Sequence, residues 1–354
     1  MALPDVFKAV HTSSGLCTLP LFDPRLRAIG QIQFRYQVVK AYSGTPLEIT
    51  QFATYWKATS ADDDRGALIT GSSLSGDYLR LCVQMTRDGI PIIASSYLKT
   101  HHGLDVSISQ RRLEELSTLG AIDSSSGNSD LASDVHDVHY WHEKLAYSIA
   151  TLKNVLATIP TNINLNLHVL YPTPLEEQAI CNYQTIDINT FADRVLTEVF
   201  DHARAVRASN ADTTRSIVFS SWNPVICTAI NWKQPNYPVL LCNDLGGSKY
   251  HNEVMRTAAL ETPPVAPSSS IKESARLAQN NNFMGMMCSS RILQRVPALV
   301  ETIKQAGLVI VSDISDQHTT SQTNSSDGWA PMADGANGVM KLNGILRFNE
   351  SIDM

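Results

Sequence analysis

Repeated βα units with apolar strands, a length sufficient for one large core and a short hairpin ahead of those units predict an α/β chain. The expected architecture is a closed (β/α)8 barrel of the TIM type, with an antiparallel hairpin at its rim and an additional N-terminal β segment. The chain has 354 residues, 43% of them hydrophobic, enough to bury a large core. Lys and Arg number 28 against 34 Asp and Glu, a net charge of −6. That balance supplies no general attraction to phosphate backbones or anionic membranes, so neither nucleic acid nor a membrane is expected as a partner. The six cysteines (Cys17, Cys82, Cys181, Cys227, Cys242 and Cys288) stand far apart, which fits a reducing compartment better than a zinc site or a disulfide framework. No run approaches the ~20 apolar residues of a membrane span and no secretory signal is visible, so a cytoplasmic and nuclear location is expected.

Taken in order, Gln31-Ile32-Gln33-Phe34-Arg35-Tyr36-Gln37-Val38 alternates polar and apolar residues. This predicts a strand over 28–42 with one face in water and the other on a core. It ends at Ser43-Gly44-Thr45-Pro46. Residues 1–65 are read as a β segment preceding the barrel and 66–354 as the barrel itself. Residues 78–85 and 90–95 are two strands joined by Thr86-Arg87-Asp88-Gly89, a connection too short for a crossover helix, so they form an antiparallel hairpin. Beyond residue 160 strands are expected at 163–171, 216–221, 239–242, 283–288, 308–312 and 338–342. Helices are expected at 187–206, 224–232, 270–279 and 296–305. In the first of these, Phe191, Val195, Leu196, Val199 and Val206 recur at helical spacing. Segments 123–134 and 315–334 are rich in Ser, Asn, Asp and Gly and read as solvated loops.

Several local features invite a chemical reading. His136, His139 and His142 could line one side of a helix and hold a transition metal, but the spacing drifts around the helix and no cysteine or carboxylate pair completes a site. His101-His102 reads as an exposed turn. Asp244-Leu245-Gly246-Gly247-Ser248-Lys249 follows a strand and could cradle an anion, without the full Walker spacing. Ser72, Ser95, Ser96, Ser220 and Ser221 offer hydroxyls, yet no Gly-x-Ser-x-Gly elbow occurs.

Four segments, in order and spacing, resemble the fungal glycerophosphodiester phosphodiesterase (GDPD) family over residues 66–350. They are the 78–93 hairpin, Asn166-Leu167-His168-Val169-Leu170-Tyr171-Pro172, Phe219-Ser220-Ser221-Trp222-Asn223-Pro224 and Asn337-Gly338-Val339-Met340. The resemblance implies a GDPD-like barrel whose enzymes begin with His-Arg-Gly, carry Glu-x-Asp metal ligands on the hairpin, and follow it with His-Asp. Here the corresponding residues read Leu68-Ile69-Thr70-Gly71-Ser72-Ser73, Arg80-Leu81-Cys82 and Ser95-Ser96, with His168 and Leu170 at the family's Glu-x-Lys. Magnesium or calcium needs several hard oxygen ligands, and diester cleavage needs an acid and a base. The expectation is a non-catalytic domain with no metal and no cofactor. Arg80, Cys82, Ser95, Ser96 and His168 would line a vestigial pocket that tolerates anions. His168 on its own reads as a barrel histidine satisfied by its neighbours rather than as a ligand.

Ser72-Ser73-Leu74-Ser75-Gly76-Asp77-Tyr78-Leu79-Arg80, with Leu19-Pro20-Leu21-Phe22-Asp23-Pro24 and Thr54-Tyr55-Trp56-Lys57-Ala58-Thr59, further resembles the fungal ankyrin-repeat, SPX-containing cyclin-dependent kinase inhibitors of phosphate starvation. That resemblance implies a cyclin and cyclin-dependent kinase complex as partner, and the SPX and ankyrin regions of a longer protein as neighbours. The competing expectations are a hydrolase with a rebuilt site using His168 and Cys82, and a domain that only positions the rest of the protein.

Overall fold

A computed structural model describes residues 13–48, 74–95, 98–101, 104–118, 137–145, 149–172, 185–209, 215–243, 245, 270–315, 333–341 and 344–349. Strands β1 (Ser14–Phe22) and β2 (Ala28–Gln37) form a separate antiparallel ribbon. Strand β3 (Gly76–Met85) turns back into β4 (Pro91–Ile93), and β5 (Leu98–His101) pairs with β6 (Leu104–Ser107) in a second small ribbon. A two-residue β7 (Ala150–Thr151) adds to β4. The remaining strands are β8 (Asn164–Val169), β9 (Ile217–Ser221), β10 (Val239–Asn243), β11 (Gly285–Ser289), β12 (Val309–Asp313), β13 (Gly338–Met340) and β14 (Ile345–Phe348).

Eight strands close a ring in the order β3, β8, β9, β10, β11, β12, β13, β14 and back to β3. The first seven run parallel, whereas β14 is antiparallel to both β13 and β3. Following the register from Gly76 through Phe348, Gly338, Val311, Met287 and Cys242 returns to β3 near Gln84. That stagger of about eight residues is the shear of a TIM-type barrel. The barrel and its rim hairpin are those expected. The antiparallel closing strand is an addition, since the last strand expected from the sequence ends at 342. Segment 68–73 and the 65/66 boundary lie outside the described residues, as do residues 123–134 and, apart from Ser315 and the pair Ala333–Asp334, the 315–334 loop.

Helices α1 (Leu113–Thr118), α2 (Val138–Leu145), α3 (Leu152–Thr158), α4 (Ile188–Ser209), α5 (Pro224–Lys233), α6 (Ile271–Asn280), α7 (Ser290–Arg295) and α8 (Ala298–Gln305), with a 3-10 turn at Ile108–Gln110, complete the described elements. Several of these helices start at a side-chain cap. The Asn223 side chain accepts from the Val225 N–H with Pro224 at the first helical position, and Thr151 and Ser270 accept in the same way for α3 and α6. Three apolar clusters result; a small one gathers Ile92, Ala94, Ile108, Leu116 and Ile149, and the other two divide the barrel. The larger contains Leu165, Leu167, Val195, Val199, Phe219 and Ile310 and lies between strands and helices, whereas the smaller contains Tyr78, Val218, Leu240, Met287, Val311 and Phe348 and fills the barrel. Alternate residues along each strand serve the two clusters, which is why the strands are apolar on both faces.

Two close approaches need glycine. A Cβ on Gly285 would lie 1.9 Å from the Val309 carbonyl oxygen, and one on Gly338 2.7 Å from that of Arg347. In the rim turn Gly89 takes φ +77, and the Thr86 hydroxyl donates to Asp88 at 2.6 Å.

The N-terminal strand corrects the sequence reading. It stops at Gln37 rather than 42, and Leu19, Leu21, Ile32 and Phe34 are 47%, 40%, 49% and 37% exposed, so no core covers the ribbon among the described residues. Residues 38–48 instead strap onto α4. Asn189 accepts from the Lys40 N–H at 2.7 Å and donates to Val38 O and to the Ser13 hydroxyl. The fully buried Lys233 ammonium donates to Lys40 O at 2.7 Å and to Asp193 at 2.8 Å. Leu47 joins the main core, and Tyr42 meets the Phe200 ring edge-on at 5.1 Å.

Lys233→Met is expected to cost about 3 kcal/mol in urea unfolding, because it leaves Asp193 and the Lys40 carbonyl without their cation. Adding Asp193→Leu to it should recover part of the loss, as a double-mutant cycle will show. A second expectation concerns pH. Burial and the neighbouring Arg215 lower the His202 pKa from 6.5 to about 4, so between those values the unfolded chain binds more protons and stability falls as pH drops. His202→Gln should flatten the slope of stability between pH 6.5 and 4.

Candidate functional site

TIM-type barrels place their chemistry at the C-terminal ends of the strands. Here the inward positions approaching that end can be read from the register. On β8 the sequence Asn164-Leu165-Asn166-Leu167-His168-Val169 alternates, and Leu165, Leu167 and Val169 pack under the helices. Asn166 and His168 therefore face the lumen. Their register partners on β3 are Arg80 and Cys82, and His168 also pairs with Ser220 on β9. Tyr78, two residues before Arg80, lies in the interior cluster, which fixes the face.

These side chains form a hydrogen-bonded group. Asn166 Nδ2 donates to Ser220 Oγ at 3.0 Å and to Val218 O at 3.1 Å. His168 Nδ1 lies 3.0 Å from Ser220 Oγ, and the His168 ring meets Trp222 edge-on at 6.1 Å. Asn166, His168 and Ser220 are buried, so such bonds offset the cost of removing polar groups from water. His168 thus meets Ser220 through Nδ1 and Trp222 through its ring. Asn166 was not singled out by sequence reasoning, although the polar alternation on β8 was the signal that could have found it.

Electrostatics sets the protonation of the thiol. Burial raises the Cys82 pKa, and the nearby Arg80 guanidinium acts in the opposite direction without cancelling the rise. Cys82 is a neutral thiol near pH 7 and not a ready nucleophile. The Arg80 Nε is buried and has no hydrogen-bond partner among the described residues. The inward carboxylate among the described residues is Asp313, in register with Met340, and its Oδ1 accepts from the Ser315 N–H at 2.9 Å.

Of the five expected pocket residues, the structure brings Arg80, Cys82 and His168 together on adjacent strands. Ser95 is exposed beyond β4, and Ser96 lies outside the described residues. So does His136, while His139 and His142 lie on α2. Burial and mutual repulsion lower the His142 pKa. Of 244–249 only Leu245 is described, and of the His101-His102 turn only His101, at the end of β5. Among the described residues no group of three His, Cys, Asp or Glu side chains could hold a metal ion.

Against known proteins, residues 67–327 match the Glycerophosphoryl diester phosphodiesterase family. The whole chain is 41% identical to the ankyrin repeat protein nuc-2 of Neurospora crassa, covering 37% of that protein. It is 30% identical to the phosphate system positive regulatory protein PHO81 of Saccharomyces cerevisiae, over 89% of this chain and 28% of that one. It is 23% identical to the glycerophosphocholine phosphodiesterase GDE1 of Candida albicans, over 83% of this chain and 29% of that one. The chain thus spans well under half the length of each of these relatives. With the barrel described and the family match covering most of it, the chain belongs to the glycerophosphoryl diester phosphodiesterase family.

Proposed function

We propose that this barrel works without catalysis, as a binding or scaffolding module of a phosphate-responsive regulator. The observation that carries the reading is Arg80. It faces the lumen on the strand where, by the family resemblance, the hydrolases hold a metal with carboxylates, and a neutral Cys82 stands at the second ligand position. A guanidinium repels a divalent cation, and a thiol replaces a hard oxygen donor poorly. Identities of 41% and 30% with an ankyrin repeat protein and a phosphate-system regulator, against 23% with a phosphodiesterase, support the same reading. A hydrolase rebuilt on Cys82 and His168 would need a thiolate, which the raised pKa opposes.

In this reading the domain runs from residue 66 and the segment 1–65 precedes it. SPX and ankyrin regions of a longer protein adjoin it, and the whole engages a cyclin and cyclin-dependent kinase complex in cytoplasm and nucleus. In the same reading the lumen has changed from cation binding to anion tolerance, with Arg80, Cys82 and His168 on adjacent strands. A guanidinium offers forked donors to phosphate oxygens.

Purified protein should not hydrolyse glycerophosphocholine with magnesium, calcium or zinc added. Turnover above a heat-denatured control would establish the rebuilt hydrolase instead. Arg80→Glu with Cys82→Asp should not restore activity, because an acid–base pair would still be lacking. Inorganic phosphate is expected to raise the melting temperature of wild type and not of Arg80→Ala. A rise with calcium or magnesium that survives Arg80→Ala would refute the anion site, and no response to any of them would leave a scaffold alone.

A further inference from the structure

Outside the barrel, the β1–β2 ribbon is amphipathic, and among the described residues none covers its apolar face. Directly opposed residues of an antiparallel pair share a face. The pairs Cys17↔Phe34, Leu19↔Ile32 and Leu21↔Gly30 therefore put Cys17, Leu19, Leu21, Ile32 and Phe34 on one side, with Thr18, Gln31, Gln33 and Gln37 on the other. Gln33 Nε2 donates to Thr18 Oγ1 at 3.4 Å across the polar face. A contiguous exposed apolar face of this kind marks a contact surface.

The two edges of the ribbon differ. The Val38 N–H donates to Ser13 O at 2.7 Å, and Ser14 pairs with Gln37, so Ser13 and Val38 are a hydrogen-bonded pair. Hydrogen-bonded pairs alternate along the ladder. On β1 the residues whose backbone groups point outward therefore include Thr18 and Pro20, and on β2 they include Gln31, Gln33 and Gln37. Pro20 has no N–H, which blunts the β1 edge. The β2 edge keeps its donors and acceptors, and among the described residues β2 pairs with β1 alone.

Charge indicates the partner. Residues 14–37 contain three arginines and one aspartate in a chain of net charge −6. Arg25 and Arg27 are exposed at the tip on either side of Leu26, which is 82% exposed at φ +61. The Asp23 carboxylate is engaged in the turn, accepting from the Arg25 and Arg27 N–H groups at 2.8 and 2.9 Å.

We infer that the β2 edge takes a third strand from a partner protein: an extended, acidic segment whose alternate apolar side chains extend the Leu19–Ile32–Phe34 face. The backbone ladder supplies general affinity, the apolar face fixes which side chains point inward, and the exposed Arg25 and Arg27 select acidic residues on the incoming strand. The site is independent of the barrel mouth and of whether the barrel catalyses anything.

The test is fluorescence anisotropy of a labelled octapeptide alternating valine with glutamate, and of its valine–lysine counterpart, added to the 354-residue protein. The acidic peptide should bind saturably and at least tenfold more tightly than the basic one. Gln33→Pro, which removes an outward donor from the β2 edge, should weaken binding at least tenfold, whereas Thr18→Pro on the blunted edge should leave it unchanged. Because either proline could disturb the ribbon itself, hydrogen exchange on wild type supplies the second measurement: the Gln31 and Gln33 amides should gain protection with the acidic peptide. Equal binding of both peptides, no saturable binding, or no added protection would overturn the inference. A concentration-dependent dimer abolished by Ile32→Lys would also overturn it, by assigning the face to a second copy of the chain.

Discussion

A barrel exists only if its first and last strands meet, and in this protein that junction is made by β14. Ile345–Phe348 pairs with β13 on one side and with the start of β3 on the other. Without it both strands would present open edges and the lumen would lose a wall. Burial and aromatic packing hold the junction more firmly than charge does. Tyr78 and Phe348 meet edge-to-face at 5.3 Å, a contact worth about 0.5–1.5 kcal/mol beyond its burial, and Leu346 and Phe348 are buried in the interior cluster. The Asp77 contacts with Lys341 at 3.3 Å and Arg347 at 3.9 Å are partly exposed, where such pairs contribute about 1 kcal/mol or less.

Closure fixes which residues share the lumen, and the lumen decides what chemistry the barrel can support. With the register set, Arg80 and Cys82 lie beside Asn166 and His168, and the polar groups of β8 and β9 bond to one another. A buried group satisfied in this way rigidifies a site. The Arg80 guanidinium makes the lumen unfavourable for a cation. What one scaffold does is thus decided by the side chains lining its lumen rather than by the barrel itself.

Outside the ring, residues 38–48 are tied to the helices that cover it. Asn189, Lys233 and Tyr42 fasten residues 38–48 along α4, so the ribbon emerges from an anchored base. The buried Lys233–Asp193 pair and its bond to Lys40 O give that base a specific geometry rather than much net stability, since the cost of desolvating a buried pair offsets much of its attraction.

The sequence by itself determined the class of fold, the rim hairpin and most strand positions, because apolar runs, helical spacing and the Thr86–Gly89 turn are local signals. It also determined that carboxylates are missing from the positions where the family resemblance seeks them. It could not show the antiparallel closing strand, because Ile345–Phe348 is a short apolar run whose direction depends on partners more than 250 positions away at Tyr78 and Leu79. Nor could it place the apolar face of β2. Alternation at Ile32, Phe34 and Tyr36 demands that one face be covered, but covering is a contact between distant surfaces, and only the tertiary structure shows that the barrel does not supply it. The same holds for Asn166 and Ser220: their polarity is written in the chain, while their meeting around His168 is set by the stagger between β8 and β9.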